Sequence, residues 1–203
     1  MKAFTRCEGP AAMLLHDNID TDQIIRIERI AQLKRGQFAP WAFENQRYLA
    51  GGSENPDFIL NKEPYRHALI LIGGDNFGCG SSREMAVWAL EEFGIRAIIA
   101  PSYGDIFFSN CLQNGLLPIT LPREQVQRLA DAALLAEVFN VDLGACTITT
   151  PSLGDIRFDI HPAHREALLL GQDAVAQTLA VKSQIDEFQE RDKVARPWVY
   201  MTE

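Results

Sequence analysis

Hydrophobic and polar positions alternate with two different periods along this chain. From Leu69 an unbroken run, Leu69-Ile70-Leu71-Ile72, has the length and branching of a buried strand. A polar, glycine-rich loop follows, Asp75-Asn76-Phe77-Gly78-Cys79-Gly80-Ser81-Ser82-Arg83-Glu84. Met85, Trp88, Ala89 and Phe93 then recur at helical spacing up to Gly94, placed as a C-terminal glycine cap. Ser81 with Glu84 three residues on matches a capping box, which predicts that the helix starts at this serine. Arg96 to Ala100 reads as a second buried strand, Asp105 to Asn114 as a helix stopped by Gly115, and Leu116 to Leu121 as a third strand. Strands alternating with helices predict βαβ units and parallel pairing. Pro122 opens a further helix from Glu124 to Leu135, with Val126, Leu129, Ala130 and Ala133 on one face.

The flanks read differently. Thr5 to Cys7 and Ala11 to Leu15, separated by Gly9-Pro10, suggest a β-hairpin or a pair of short strands. Ile24 to Leu33 suits a short amphipathic helix, and Lys34 to Pro64 is irregular. Val138 to Leu143, Cys146 to Thr150 and Ile156 to Ile160 alternate as antiparallel strands. A helix from Pro162 to Leu170 and a longer one from Asp173 to about Lys193 end the pattern. The fold class is α/β: one layered domain over residues 1–203, with a parallel βαβ part, an added β layer and a C-terminal helical tail.

Composition narrows the function. A chain of 203 residues with 47% hydrophobic positions can bury a real core. Lys+Arg 19 against Asp+Glu 27 gives a net charge of -8 with no basic cluster, which argues against nucleic acid, so an anionic substrate has to be met by local arginines. No apolar run approaches the roughly 18 residues of a membrane span. Cys7, Cys79, Cys111 and Cys146 lie far apart with no C-x-x-C, as thiols of a reducing cytoplasm do. They form no iron-sulfur motif, and no metal site is assigned to this chain.

The glycine loop is the candidate active site. Glycines permit close backbone approaches, and a helix N-terminus with Arg83 in its first turn can hold an anion. It is not a P-loop, because no lysine follows the glycines at the required spacing. Ser81 admits three roles: a helix cap, a nucleophile, or a general base whose developing negative charge Arg83 and backbone N–H groups stabilise. The nucleophile role lacks its motif, since His16, His67, His161 and His164 stand in no recognisable arrangement and G-x-S-x-G is absent. Cys79 is either a reactive thiol or a small residue in a tight loop. Upstream, Asp17, Asp20 and Asp22 make either a carboxylate cluster or a solvated turn, without the spacing of a calcium loop. Arg165 is either a solvated charge or a ligand.

Asn18-Ile19-Asp20-Thr21-Asp22-Gln23-Ile24-Ile25, the loop Asn76 to Glu84, Ala100-Pro101-Ser102 with Asn110, and Asn114 to Pro118 together resemble the small-subunit family of 3-isopropylmalate dehydratase, the swivelling domain of the aconitase superfamily. The resemblance runs in order from about residue 4 to residue 180. It implies a β/β/α swivelling fold and an obligate large-subunit partner, in a heterodimer or heterotetramer, that carries the [4Fe-4S] cluster. It also implies dehydration and rehydration of a 2-hydroxy acid. On this resemblance Ser81 takes the proton from carbon, Arg83 binds substrate carboxylate and Asp22 supports the site. Ser82, Thr21, Gly80, Cys79 and Arg29 line the substrate side. Met85 and Val87 stand where the family commonly has His and Pro, Arg26 where it has Pro, and Leu170 where it has Asn. Arg29 stands where leucine-pathway members carry an aromatic or apolar residue. Pointing to solvent, or paired with Glu28 or a partner carboxylate, Arg29 leaves 3-isopropylmalate as the substrate. Facing the substrate, it implies citramalate, dimethylmalate or a tricarboxylate. A non-catalytic anion-binding protein on the same fold is the remaining alternative.

Overall fold

The computed structural model describes residues 1–200. In chain order its elements are β1 (Arg6–Leu14), the single helical turns α1 (Thr21–Ile24), α2 (Ile27–Ile30) and α3 (Glu44–Arg47), then β2 (Ile70–Gly73), α4 (Glu84–Phe93), β3 (Ala97–Ala100), α5 (Asp105–Asn114), β4 (Leu117–Thr120) and α6 (Arg123–Leu134). The antiparallel strands β5 (Val138–Asp142), β6 (Thr147–Thr150) and β7 (Gly154–Arg157) follow, then α7 (Pro162–Leu170), α8 (Ala174–Ala180) and α9 (Lys182–Ala195). All strands belong to one sheet of order β4-β3-β2-β1-β5-β6-β7, parallel from β4 to β1 and antiparallel from β1 to β7.

The N-terminal segment, expected as a hairpin or a pair of short strands, is one continuous strand. Arg6 to Pro10 pair with β5, and Ala11 to Leu14 pair with β2. Pro10 marks the changeover: it has no N–H for a further antiparallel rung, while its carbonyl accepts the N–H of Leu69 at 3.1 Å. Gly-Pro therefore reads as a turn by local rules and serves here as a switch of partner.

Side-chain alternation divides the core between the two faces of the sheet. Leu71, Ile98 and Ala100 point to one face, packed by Val87 and Leu90 of α4 and by Phe107 and Cys111 of α5. Ile70, Ile72, Ala97, Ile99, Leu117 and Ile119 point to the other, where they meet α6, Leu168 of α7 and the β5–β6 side chains Phe139, Val141 and Ile148. The antiparallel strands thus share a core with the parallel ones. The helices predicted at Asp105–Asn114 and Pro162–Leu170 have those bounds.

Three further expectations are corrected, and the stretch expected to be irregular takes part in the core. Ile24–Leu33 is not one amphipathic helix: Ile24 and Ile25 are both buried, so consecutive residues point inward and the chain is extended at Ile25 between α1 and α2. The irregular stretch 34–64 is core-forming, with Phe38, Phe43 and Leu60 buried. Buried Arg47 ties it together by donating to the carbonyls of Ala39 (3.2 Å) and Ala42 (3.4 Å), while Asn61 donates to the Arg47 carbonyl at 2.7 Å. β7 ends at Arg157 instead of reaching Ile160. The tail helix breaks at Val181 into α8 and α9.

Ile98, fully buried on the central part of the parallel sheet, reports on this core. Ile98→Ala should cost about 2–5 kcal/mol, lowering the denaturant midpoint without changing the slope. A midpoint equal to that of the unsubstituted chain would contradict this packing.

Candidate active site

The loops that leave the carboxyl ends of the parallel strands lie side by side, the usual place for a site in such a sheet. The β1 loop (residues 15–20) and the β2 loop (residues 74–83) run parallel and are joined by successive backbone rungs: Asn18 N–H to the Asp75 carbonyl at 2.8 Å, Gly78 N–H to Ile19 at 2.7 Å, and Thr21 N–H to Cys79 at 2.9 Å. Phe77 N–H donates to the Ser102 carbonyl and Gly104 N–H to that of Phe77, both at 3.0 Å, which adds the β3 loop. Gly78 adopts φ +72°, and a Cβ there would lie 2.2 Å from the Phe107 ring, so the close approach requires glycine.

The end of the β2 loop presents the chemistry. Gly80, at φ +94°, turns the chain outward, and Ser81 and Ser82 are exposed. The Ser81 carbonyl accepts two hydrogen bonds, from Arg83 N–H at 2.8 Å and from the Thr21 hydroxyl at 3.2 Å. Its peptide is thereby fixed, while its own hydroxyl has no partner among the described residues. The predicted capping box is absent: α4 starts at Glu84 with Arg83 as a cap residue whose side chain makes no capping bond to the helix. Glu84 instead accepts from Asn114 Nδ2 at 2.9 Å, an amide that also receives the indole N–H of Trp88 at 2.9 Å. The serine hydroxyl that the helix does not use stays available.

Arg83 is mostly covered, with 13% of its side chain exposed, and its Nη1 donates to Asp22. Nε and Nη2 have no partner among the described residues. Arg83 holds the Asp22 carboxyl below its usual range, helped by the Ile27 N–H and opposed by desolvation. Asp22 thus orients the arginine and links the loop tip to the start of α2. Thr21, expected at the substrate, is buried, and its hydroxyl donates to the Ser81 carbonyl. Cys79 is half-buried within the rungs.

Arg29 lies apart from this loop. Its fork binds Glu44, Nε to Oε2 at 2.9 Å and Nη2 to Oε1 at 2.5 Å, and its guanidinium stacks 3.5 Å above the Trp41 ring. The counter-charge is therefore Glu44, and neither Glu28, which pairs with Arg26, nor a partner is needed. Arg29, Trp41 and Glu44 line an open cleft of about 640 Å³. Arg165 is half-buried and donates to the carbonyls of Leu143, at 3.1 Å, and Gly144. Sequence reasoning missed Arg123, which pairs with Asp17 and Asp75, and missed Glu44; a cation directly after Pro122 at a helix start was the available signal for the first.

Among the described residues, no three His, Cys, Asp or Glu side chains converge as metal ligands, and no helix is long and apolar enough to cross a membrane. Burial pushes the Cys7 thiol up to about 12, and that of Cys111 up as well, so both remain protonated.

The Asp22–Arg83 pair has a pH signature. A carboxyl depressed in the folded state contributes stability above its unfolded value of about 3.9, and that contribution fades as pH falls through the folded pKa. In an NMR titration the Asp22 carboxyl should titrate below the ordinary aspartate range, and Arg83→Gln should move its midpoint upward. An unmoved midpoint would mean that the pair does not form in solution.

The model of the aconitase C-terminal domain family matches residues 1–124. The 3-isopropylmalate dehydratase small subunit of Phenylobacterium zucineum is 46% identical over 200 residues, covering 98% of each chain. That of Cupriavidus necator is 47% identical over 205 residues, covering 98% of this chain and 99% of the relative. A solved structure titled as 3-isopropylmalate dehydratase from Methanocaldococcus jannaschii shares the fold at TM-score 0.66 and 24% identity, over 91% of this chain and 99% of that one. With near-complete coverage at this identity, the chain belongs to the aconitase C-terminal domain family, among the small subunits of 3-isopropylmalate dehydratase.

Proposed function

We propose that this chain supplies the proton-transfer and carboxylate-binding half of a 3-isopropylmalate dehydratase, which interconverts 2- and 3-isopropylmalate in leucine biosynthesis and in the cytoplasm. The observation that carries the reading is the loop tip, where an unpartnered Ser81 hydroxyl on a fixed peptide stands two residues from an arginine with free donors. Together with full-length similarity to proteins bearing that name, this favours catalysis over passive anion binding.

Dehydration removes a proton from one carbon and hydroxide from its neighbour. Ser81 Oγ accepts the proton and returns it to carbon in rehydration, and Arg83 Nε and Nη2 hold a substrate carboxylate as a planar fork. Asp22 keeps that fork oriented, so little ordering remains to be done when substrate arrives. Gly80 and Ser82 border the same position. The [4Fe-4S] cluster associated with this chemistry does not fit this chain: two of its four cysteines are buried in the core, and the four are spread over separate elements. On this reading the cluster belongs to a large partner chain, and activity requires both.

Arg29 favours the apolar substrate. A guanidinium whose fork is already filled by Glu44 has little left for a substrate carboxylate, which supports isopropylmalate over a tricarboxylate.

In the reconstituted complex, Ser81→Ala should reduce turnover by about 10² to 10⁴. Its melting temperature should barely change, because the hydroxyl caps nothing. A destabilised variant with near-normal turnover would return the serine to a structural role. For substrate choice, kcat/KM should rank isopropylmalate above citramalate and citrate both in the unsubstituted complex and in Arg29→Leu. Leaving Glu44 without its counter-charge should lower the melting temperature of that variant. A ranking that inverts in favour of citrate, before or after the substitution, would overturn the apolar assignment.

A further inference from the structure

We propose that Arg123 is a positioning residue for this site: through Asp17 and Asp75 it clamps the base of the paired loops whose far end presents Ser81. The inference rests on the function proposed above for its catalytic readout, though not for its structural one. Arg123 is the first residue of α6, placed by Pro122 beside the carboxyl ends of β1 and β2. Its Nη2 lies 3.1 and 3.0 Å from the two oxygens of Asp17, and the same nitrogen donates to Asp75. One cation therefore serves two carboxylates from two loops.

The surrounding bonds show what the clamp holds. Asp17 also accepts the N–H of Asp75 at 2.8 Å. The Asn76 amide donates to Asn18 Oδ1 at 2.8 Å, and Ser102 Oγ donates to Asp75 at 3.1 Å while accepting the N–H of Asn76 at 2.8 Å. A Cβ on Gly74 would lie 2.6 Å from Asp17, so the loops touch backbone to side chain at this point. Beyond it come the rungs at Ile19–Gly78 and Thr21–Cys79, and finally the Thr21 hydroxyl on the Ser81 carbonyl. The base of this ladder is polar and exposed, with side-chain exposures of 60% for Arg123, 44% for Asp17 and 39% for Asp75.

That exposure separates a positioning role from a stabilising one. Exposed ion pairs add little to global stability. Without the cation, Asp17 keeps the Asp75 N–H and Asp75 keeps the Ser102 hydroxyl, but the charge that offsets the repulsion between the two carboxylates is gone, which loosens the ladder at its base. Catalysis is far more sensitive to such a change than folding is, because displacing a reacting group by about 1 Å costs on the order of 10²-fold in rate.

The test uses the full chain with its large subunit, as Arg123→Ala, Arg123→Lys and Arg123→Ala combined with Asp75→Asn. For isopropylmalate, Arg123→Ala should lose about 10- to 100-fold in kcat with little change in KM and melting temperature. Arg123→Lys should recover most of the loss, because a single nitrogen bridges both acids, and Asp75→Asn should recover part of it by removing the repulsion. Amide hydrogen exchange provides a readout independent of turnover: in Arg123→Ala the Thr21 and Gly78 amides should exchange about tenfold faster, while that of Ile98 holds. Unchanged exchange at Thr21 and Gly78, or a kcat loss that tracks melting temperature and is not rescued by lysine, would overturn the clamp. An unsubstituted complex that does not convert isopropylmalate would overturn the proposed function instead, and the exchange rates would still decide the clamp.

Discussion

β1 is hydrogen-bonded to different neighbours along its two halves, and that divided pairing constrains everything built on it. Its first half closes the antiparallel strands onto the sheet, and its second half opens the parallel series. The strand then delivers the segment from Asp17 to Asp22 to the carboxyl edge, directly beside the loop from β2. Because the register of β1 against β2 is fixed by Ala11 to Leu14, the later pairing of Ile19 with Gly78 and Thr21 with Cys79 follows with no freedom to slip. A one-residue slip would also turn Ala12 and Leu14 away from the core that they fill.

Backbone hydrogen bonds and glycine contacts, more than charge, hold the site together. The loops are joined by main-chain rungs, and Gly78 is packed against a phenylalanine ring where no side chain fits. The ion pairs sit at the margins and orient groups that the backbone has already brought close. Asp22 aims Arg83, and Glu44 with Trp41 holds Arg29 flat. Three of the four ion-paired side chains are largely covered and only Asp22 is open to solvent, so the pairs fix geometry and each also leaves a covered charge stranded if its partner is removed.

The regular half of this architecture was legible in the sequence because its signals are local. A run of β-branched and aliphatic residues, a glycine stop and a proline start place β2 through α6 and α7 within a residue or two, except the start of α4, which lies at Glu84 and not at Ser81. What the sequence hid depends on contacts distant along the chain. Pro10 ends one ladder and begins another only because β2 and β5 lie on either side. Ile24 and Ile25 are both buried because two packed surfaces meet there. The aromatics between residues 34 and 64 carry no periodicity, yet Phe38 and Phe43 fill the core, since a buried arginine satisfies the carbonyls around them. Ser81, Arg83 and Asp22 were legible as candidates through their motifs. Their arrangement was not: the Thr21 hydroxyl bonds the Ser81 carbonyl, and Arg29 binds Glu44, fifteen residues away.

The distribution of charge gives a physical reason for the second chain. The substrate proposed for this site is a dianion, and a chain of net charge -8 repels it at long range. The arginines described near the site are largely spent internally: Arg26 faces Glu28, Arg29 faces Glu44, and Arg123 faces two aspartates. Arg83 shares only Nη1 with Asp22, so it can take one carboxylate on its remaining donors. On the proposed function, the second carboxylate and the leaving hydroxide meet no further unpaired cation among the described loop residues, and burying either without a counter-charge is costly. Among the described residues the loop tip offers the exposed hydroxyls of Ser81 and Ser82 and the free Nε and Nη2 of a largely covered Arg83, which is half of what the proposed reaction needs; on that proposal the remaining positive charge comes from the partner chain.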